Sequence, residues 1–428
     1  MFKISKKIMI SGAIGNALEM YDYAIWGLFS IYLTKEFLPP HSNLSDMFFL
    51  FLLTYILRPI SGFVFGILSD QLGRKNILTF CIFIMGICTT AVGFIPSYQS
   101  IGVLSVFLLL FTRLVQAFAV GGEYISSVSL LIESCEKSKR GYFGSWAAVG
   151  VNAGILAASL VASALIYAMK QGLIPSYGWR IGFILSFITM IVGYWIRSSI
   201  PDSFDFIIEN ARREKRPFFG IAKETFYGIK KRFAESLAVF ALVWFGVTAT
   251  MIVFIYAPIH MTTVNNLFNY QSLLINSISL VLLIILIPIF GILSDKYGRI
   301  KTLFIPSLAS LIMIVPYYLS ISTGSFYQSL VAQLIIAIPC AGIFSITPVI
   351  ITEIFPLNIR CSSTGFIYSL AICFGGGITP LIALKLSNSL SGAYSPGLLL
   401  MLPGLLSLIS LWVLQTKKNA GLTTMTPA

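Results

Sequence analysis

Five charged residues stand inside stretches that are otherwise apolar: Glu19, Asp22, Arg58, Arg113 and Glu123. In hydrocarbon each costs about 3 kcal/mol or more unless it is paired or faces a watered cavity, so such residues mark a route for ions or polar solutes. Glu19 and Asp22 are three apart and share a helix face. Two carboxylates can therefore meet two guanidiniums in an ion-pair network. A nearby arginine favours the ionised carboxylate, burial favours the protonated one, and opening to water switches between them. Glu19 and Asp22 are thus the candidate proton carriers, with Glu123 behind them. Arg113 offers planar, permanently charged pairing to a substrate carboxylate, and Arg58 either does the same or braces Asp22.

The elements that must position these groups are helices in lipid. Of 428 residues, 57% are hydrophobic and only 11% charged, against about 25% charged in soluble domains. The apolar runs have the length that a helix needs to cross a bilayer, not the alternating ten-residue pattern of a barrel. Twelve spans are expected, near 8–33, 47–68, 77–95, 102–132, 142–168, 181–197, 237–259, 272–293, 302–320, 327–350, 362–384 and 396–415. The start, MFKISKK, has the look of a signal-peptide n-region, but the long apolar stretch after it carries Glu19 and Asp22 and reads as a retained first helix. The six cysteines suggest no disulfide framework.

The net charge of +13 does not point to nucleic acid, because the basic residues follow topology. All 29 lysines and arginines lie in the N-tail, the even-to-odd joints or the C-tail, except Lys35, Arg58, Arg113, Lys170, Arg180 and Lys385. By the positive-inside rule both termini are expected in the cytoplasm, with Lys417 and Lys418 favouring an even span count.

Two segments repeat. FGILSDQLGR at 65–74 and FGILSDKYGR at 290–299 agree at eight of ten positions, and Glu133 to Arg140 repeats the spacing of Glu353 to Arg360. The chain is therefore read as a duplicated six-helix half: 1–197, a cytoplasmic linker 198–236 lying on anionic headgroups, and 237–428. Gly66, Gly73, Gly291 and Gly298 allow close approach and tight turns. Asp70 and Asp295 can face a helix N-terminus or a basic partner, and Arg74 and Arg299 complete the loops. With Glu133, Arg140, Glu353 and Arg360, these residues form the expected gate.

The two halves, the G-x3-D-x2-G-R loops and the long central linker resemble the major facilitator superfamily over the whole chain. Gly15-Asn-Ala-Leu-Glu19-Met-Tyr-Asp22, Arg58-Pro59, Arg113-Leu-Val-Gln116, Gly121-Gly122-Glu123 and Glu133 through Arg140-Gly141 resemble the metabolite:proton symporters. That group includes proline/betaine, 2-oxoglutarate, citrate and shikimate transporters. Met20 departs from the tryptophan common there, and no coiled-coil tail follows the last span. The resemblance implies an all-helical polytopic protein of the bacterial inner membrane, a monomer working by alternating access with loops that latch the cytoplasmic side. It implies proton-coupled uptake of a small polar metabolite, a zwitterion or an organic acid.

At the half-to-half offset, Glu19, Asp22, Arg58 and Arg113 mirror near Trp244, Val247, Leu283 and Gln333. The second half has lost the charges and is expected to supply shape through Trp244, Tyr256, Gln333 and Tyr368, joined by Tyr23 and Gln116 from the first. An aromatic wall can bind a quaternary ammonium. His41 and His260 fall at outer span ends, and Gly375 to Gly377 with Pro380 read as packing and bending positions. No nucleophile, metal cluster or phosphate loop stands out, so no cofactor and no enzymatic activity are expected. The competing readings are proton-driven efflux, which calls for a more apolar pocket, and a receptor on a transporter scaffold.

Overall fold

The computed structural model describes residues 2–121, 123–198, 217–263, 267–389 and 394–419. Lipid offers no partner for a backbone N–H or C=O, so each crossing element satisfies its own as a helix. Ten described helices are long and apolar enough to cross a membrane. The other two rods are Phe2–Leu28, which carries Glu19 and Asp22, and the shorter Arg180–Ile196. Phe107, Phe111, Ile188, Trp195, Ile305 and Trp412 are exposed on the outside, as lipid-facing side chains should be.

The rods that carry the argument follow in chain order. Span one is Phe2–Leu28, continued by Ser30–Phe37. Span two is Leu44–Ile56 and Arg58–Leu72. Span four is Val103–Val120 and Glu123–Glu133, and span five Arg140–Lys170. Span six ends with Ser186–Ser198. Span seven is Phe233–Thr250, a π-helical turn Met251–Tyr256, and Ala257–Thr263. Span eight is Asn269–Tyr297 and span ten Phe326–Glu353. Span eleven is Arg360–Ile372, a second π-helical turn Cys373–Ile378, and Thr379–Ser389.

Between the halves, spans two and eleven pack together, as do spans five and eight. Glycine makes both contacts possible. A Cβ on Gly66 would stand 2.7 Å from the Cα of Ser362, and one on Gly291 would stand 2.8 Å from the carbonyl oxygen of Gly141. Gly73 and Gly298 turn the paired loops at φ of 94° and 92°, a left-handed backbone that other residues avoid.

The linker is more ordered than a solvated joint. Phe218–Lys231 forms a helix, and span seven starts at Phe233. Thr225 Oγ1 lies 2.9 Å from Ser362 Oγ, and Phe226 packs on Phe63 and Phe366. Phe219 and Tyr227 remain exposed beside Lys223, Lys230 and Lys231. The basic residues of 199–216 lie outside the described residues.

Candidate functional site

The axis between the halves holds a cavity of about 1060 Å³. Its walls come from spans one, two, four, five, seven, ten and eleven. Asn16, Glu19, Met20, Tyr23, Tyr55, Arg58, Tyr124 and Asn152 line the first half. Val247, Thr250, Thr347, Tyr368 and Ser369 are among those lining the second. Among the described lining residues, Glu19 is the one carboxylate and Arg58 the one guanidinium. The cavity is therefore charged on one side and apolar with hydroxyls on the other, an asymmetry legible in the loss of charge from the second half.

Arg58 opens the second helix of span two, and Tyr55 lies one turn before it, so both reach the same space. The guanidinium carbon of Arg58 is 4.8 Å from the Tyr23 ring centre and 4.9 Å from that of Tyr55. Those two rings meet edge to face at 6.1 Å. Tyr124 and Tyr368 stack at 5.2 Å across the halves, within electrostatic reach of Glu19. Four tyrosines thus wall a space that also holds a cation-attracting carboxylate and an anion-attracting guanidinium, with Tyr368 within electrostatic reach of both.

Arg113 does not line this cavity. It faces a second, smaller space of about 500 Å³ with Tyr23, Gly27, Phe48, Tyr55, Tyr256, Ile259, Gly376, Gly377 and Pro380. Its guanidinium carbon is 4.6 Å from the Tyr23 ring centre and 4.8 Å from that of Trp26. Tyr23 and Tyr55 line both cavities and stand between them.

The expected pairing of Asp22 with an arginine is not what the fold makes. Asp22 is buried and turns toward span six, where Thr189 Oγ1 donates to Oδ1 at 3.1 Å; among the described residues no guanidinium is within ion-pair distance. Three-residue spacing gives Glu19 and Asp22 adjoining faces, but the helix rotates one to the cavity and the other to the bundle interior. Glu123 is fully buried within electrostatic reach of Asp22. Gln116 ties these groups together rather than facing solute. It accepts from Arg113 Nη1 at 2.5 Å and donates to Thr89 Oγ1 at 2.9 Å and to the Asp22 carbonyl at 3.4 Å.

Of the second-half residues expected to shape the site, Tyr368 lines the main cavity and Tyr256 the smaller one. Trp244 and Gln333 line neither. Trp244 packs against Phe240 and Phe374 between spans seven and eleven. Gln333 is sealed in the core, accepting from the Tyr317 hydroxyl and donating to the Val253 carbonyl at 2.9 Å. That carbonyl belongs to the π-helical turn, and the residue five positions on, Pro258, has no N–H to give it. The half-to-half offset finds depth along a span but not rotation about it, which is why three of the four mirror positions, Trp244, Leu283 and Gln333, line neither cavity and Val247 alone lines the main one. Missed were Asn16, Tyr55, Tyr124, Asn152 and Thr250. Tyr55 was readable from its place one turn from Arg58; nothing singled out the others among so many aromatic and small polar residues.

At the end bearing the paired loops, the gate residues bridge the halves. Asp295 accepts from the backbone N–H of Gly141 and of Tyr142, each at 2.8 Å, and so caps the N-terminus of span five. Its counterpart Asp70 accepts from Ser362 N at 2.9 Å in the first turn of span eleven. Arg299 Nη1 holds Asp295 at 2.6 Å while its Nη2 is 3.6 Å from Glu353, and Arg360 reaches Glu133 at 3.0 Å. Arg140 begins span five beside Cys135, whose thiol burial pushes up to about 12. The side chain of Arg74 and residue Gly122 lie outside the described residues.

The opposite end is closed as well. Ser159 Oγ donates to the Leu273 carbonyl at 3.1 Å and Ser163 Oγ to that of Tyr270 at 3.3 Å, while Gly376 and Gly377 press on Tyr55. The halves thus touch at both ends of the main cavity.

A helical, membrane-spanning chain with a largely apolar cavity, charged on one wall, between two bundles interlocked at their ends has the architecture of a membrane transporter. The profile described as Sugar (and other) transporter matches residues 8–218, and that described as Major Facilitator Superfamily matches 239–428. The second match places residues 239–428 in the major facilitator superfamily, and the two transporter profiles together cover nearly the whole chain. It is 28% identical over 399 residues to a putative proline/betaine transporter of Staphylococcus aureus (strain COL), covering 92% of this chain and 84% of the relative. It is 27% identical over 434 residues to the proline/betaine transporter of Escherichia coli (strain K12), covering 99% and 86%. Its fold matches that of the proton:xylose symporter XylE from E. coli, bound to 6-bromo-6-deoxy-D-glucose. The TM-score is 0.76 at 17% identity, over 97% of this chain and 96% of that one.

Proposed function

We propose that this transporter carries a small zwitterion such as proline or a betaine into the cell together with protons, by alternating access to the main cavity. The observation that carries the reading is that Glu19 and Arg58 line one cavity together with four tyrosines. Arg58 takes the substrate carboxylate. The ammonium sits against Tyr124 and Tyr368 near Glu19, where ring faces and one negative charge attract it without demanding N–H donors. A dicarboxylate leaves its second anion facing Glu19, and an apolar efflux substrate leaves both charges unsatisfied, so the zwitterion fits better than either. The printed names of the two sequence relatives agree with it.

Asp22 and Glu123 carry the proton. They are set back from the substrate, and Gln116 links the Asp22 backbone to Arg113. The units that move are residues 1–197 and 237–428, joined by 198–236, with the paired loops on the cytoplasmic side of an inner membrane. Purified protein in proteoliposomes should accumulate labelled proline or glycine betaine only when an inward proton gradient is imposed. Binding without gradient-driven accumulation of any zwitterion, proline and betaine included, would sink the symport reading.

A further inference from the structure

The smaller cavity has no part in the reading above, yet it is built around a buried cation. Arg113 is 4% exposed. It is held by Gln116 on one side and by the rings of Tyr23 and Trp26 on the other. The remaining described lining is apolar or aromatic apart from the hydroxyls of Tyr23, Tyr55 and Tyr256, the last lying 2.9 Å from Ser387 Oγ. The space lies toward the end opposite the paired loops, directly beyond the Tyr23–Tyr55 pair that closes the main cavity.

Two guanidiniums therefore flank one aromatic partition, each within 5 Å of the Tyr23 ring centre. Arg58 is close enough to act on Arg113 electrostatically. Two cations sharing so little dielectric repel each other and together attract an anion, most strongly where water is excluded. The partition can open only if Tyr55 leaves Gly376 and Gly377. A Cβ on Gly376 would stand 2.5 Å from the Tyr55 ring, and these glycines belong to the π-helical turn of span eleven.

We infer that the smaller cavity is a second carboxylate subsite on the path from the end opposite the paired loops. There Arg113 receives a small carboxylate before Tyr23 and Tyr55 part and Arg58 takes it over. The inference deepens the zwitterion reading and rests on it for direction of travel. The subsite itself requires only a carboxylate.

Trp26 lies against Arg113, which makes it a native reporter. Protein labelled with 5-fluorotryptophan, its Trp26 signal assigned with Trp26→Phe, is titrated with acetate and with glycine betaine. The expected result is a Trp26 shift with both ligands that Arg113→Gln abolishes and Arg58→Gln leaves in place for acetate. Transport then gives direction. Arg113→Gln should raise KM about tenfold for entry from the side opposite the loops and less than twofold from the loop side, the loss expected of one charge-assisted contact used on one side only. Absence of a Trp26 shift with acetate, or its equal loss in both variants, overturns the subsite. Equal KM changes from both sides, or none from either, overturn its place on the entry path. An acetate shift without any betaine transport defeats the zwitterion reading and leaves the subsite standing.

Discussion

Asp295 is where one carboxylate holds the two halves together most directly, so Asp295→Asn should unlatch the loop end. The carboxylate accepts two backbone N–H groups at 2.8 Å and one Arg299 bond at 2.6 Å. Asparagine keeps one acceptor and turns an NH2 toward a donor, so one of the two amide contacts is lost and the charge on the helix terminus with it. A hydrogen bond to a charged group contributes about 1.5–3 kcal/mol, and the helix-terminal charge about 0.3–1 kcal/mol. Discounting for water at a partly buried site, a loss of about 2–3 kcal/mol raises the ratio of open to closed loop ends roughly 30- to 150-fold. Cys135 reads this out. Burial pushes its thiol up to about 12, so while the latch is shut almost none is the thiolate that reacts. In a variant retaining Cys135 alone, maleimide labelling at neutral pH should accelerate at least tenfold on Asp295→Asn. Removing the Asp295 charge also favours the thiolate directly. Gly141→Ala supplies the second arm, since its Cβ would stand 2.6 Å from the Gly291 carbonyl and 2.4 Å from Ser294 Oγ without altering any charge. Labelling within twofold of the parent in both variants would refute the latch.

Two further outcomes follow from the division of labour between cavity and bundle. Asp22→Asn should abolish gradient-driven accumulation while leaving substrate counterflow within about threefold of the parent, because Asp22 borders neither cavity; equal loss of both would make it structural. Gln333→Ala should leave KM unchanged but cost about 2–3 kcal/mol of stability, since it strands the Val253 carbonyl and the Tyr317 hydroxyl. Thermal unfolding in detergent checks the stability and zero-trans uptake the KM. A raised KM with undiminished stability would return Gln333 to the substrate.

Much of this protein was determined along the chain. Hydropathy sets the spans, because lipid leaves the backbone only helices or closed barrels and the apolar runs have the helical length, and the intramembrane charges name themselves by their cost. The paired decapeptides marked one end where the halves touch, and Asp70, Asp295, Arg299, Glu353 and Arg360 make their contacts there because the glycines permit an approach that a side chain would block. What the chain did not determine was rotation. Glu19 and Asp22, three residues apart, part company because packing against spans five and six sets the turn of span one. Arg58 and Arg113, alike in type and depth, fall on opposite sides of a tyrosine partition for the same reason. Trp244 and Gln333 occupy mirror positions but pack inward, one among rings and one onto a π-helical carbonyl. A sequence specifies which residues share a helix, whereas which of them share a cavity is decided by how the helices settle against one another.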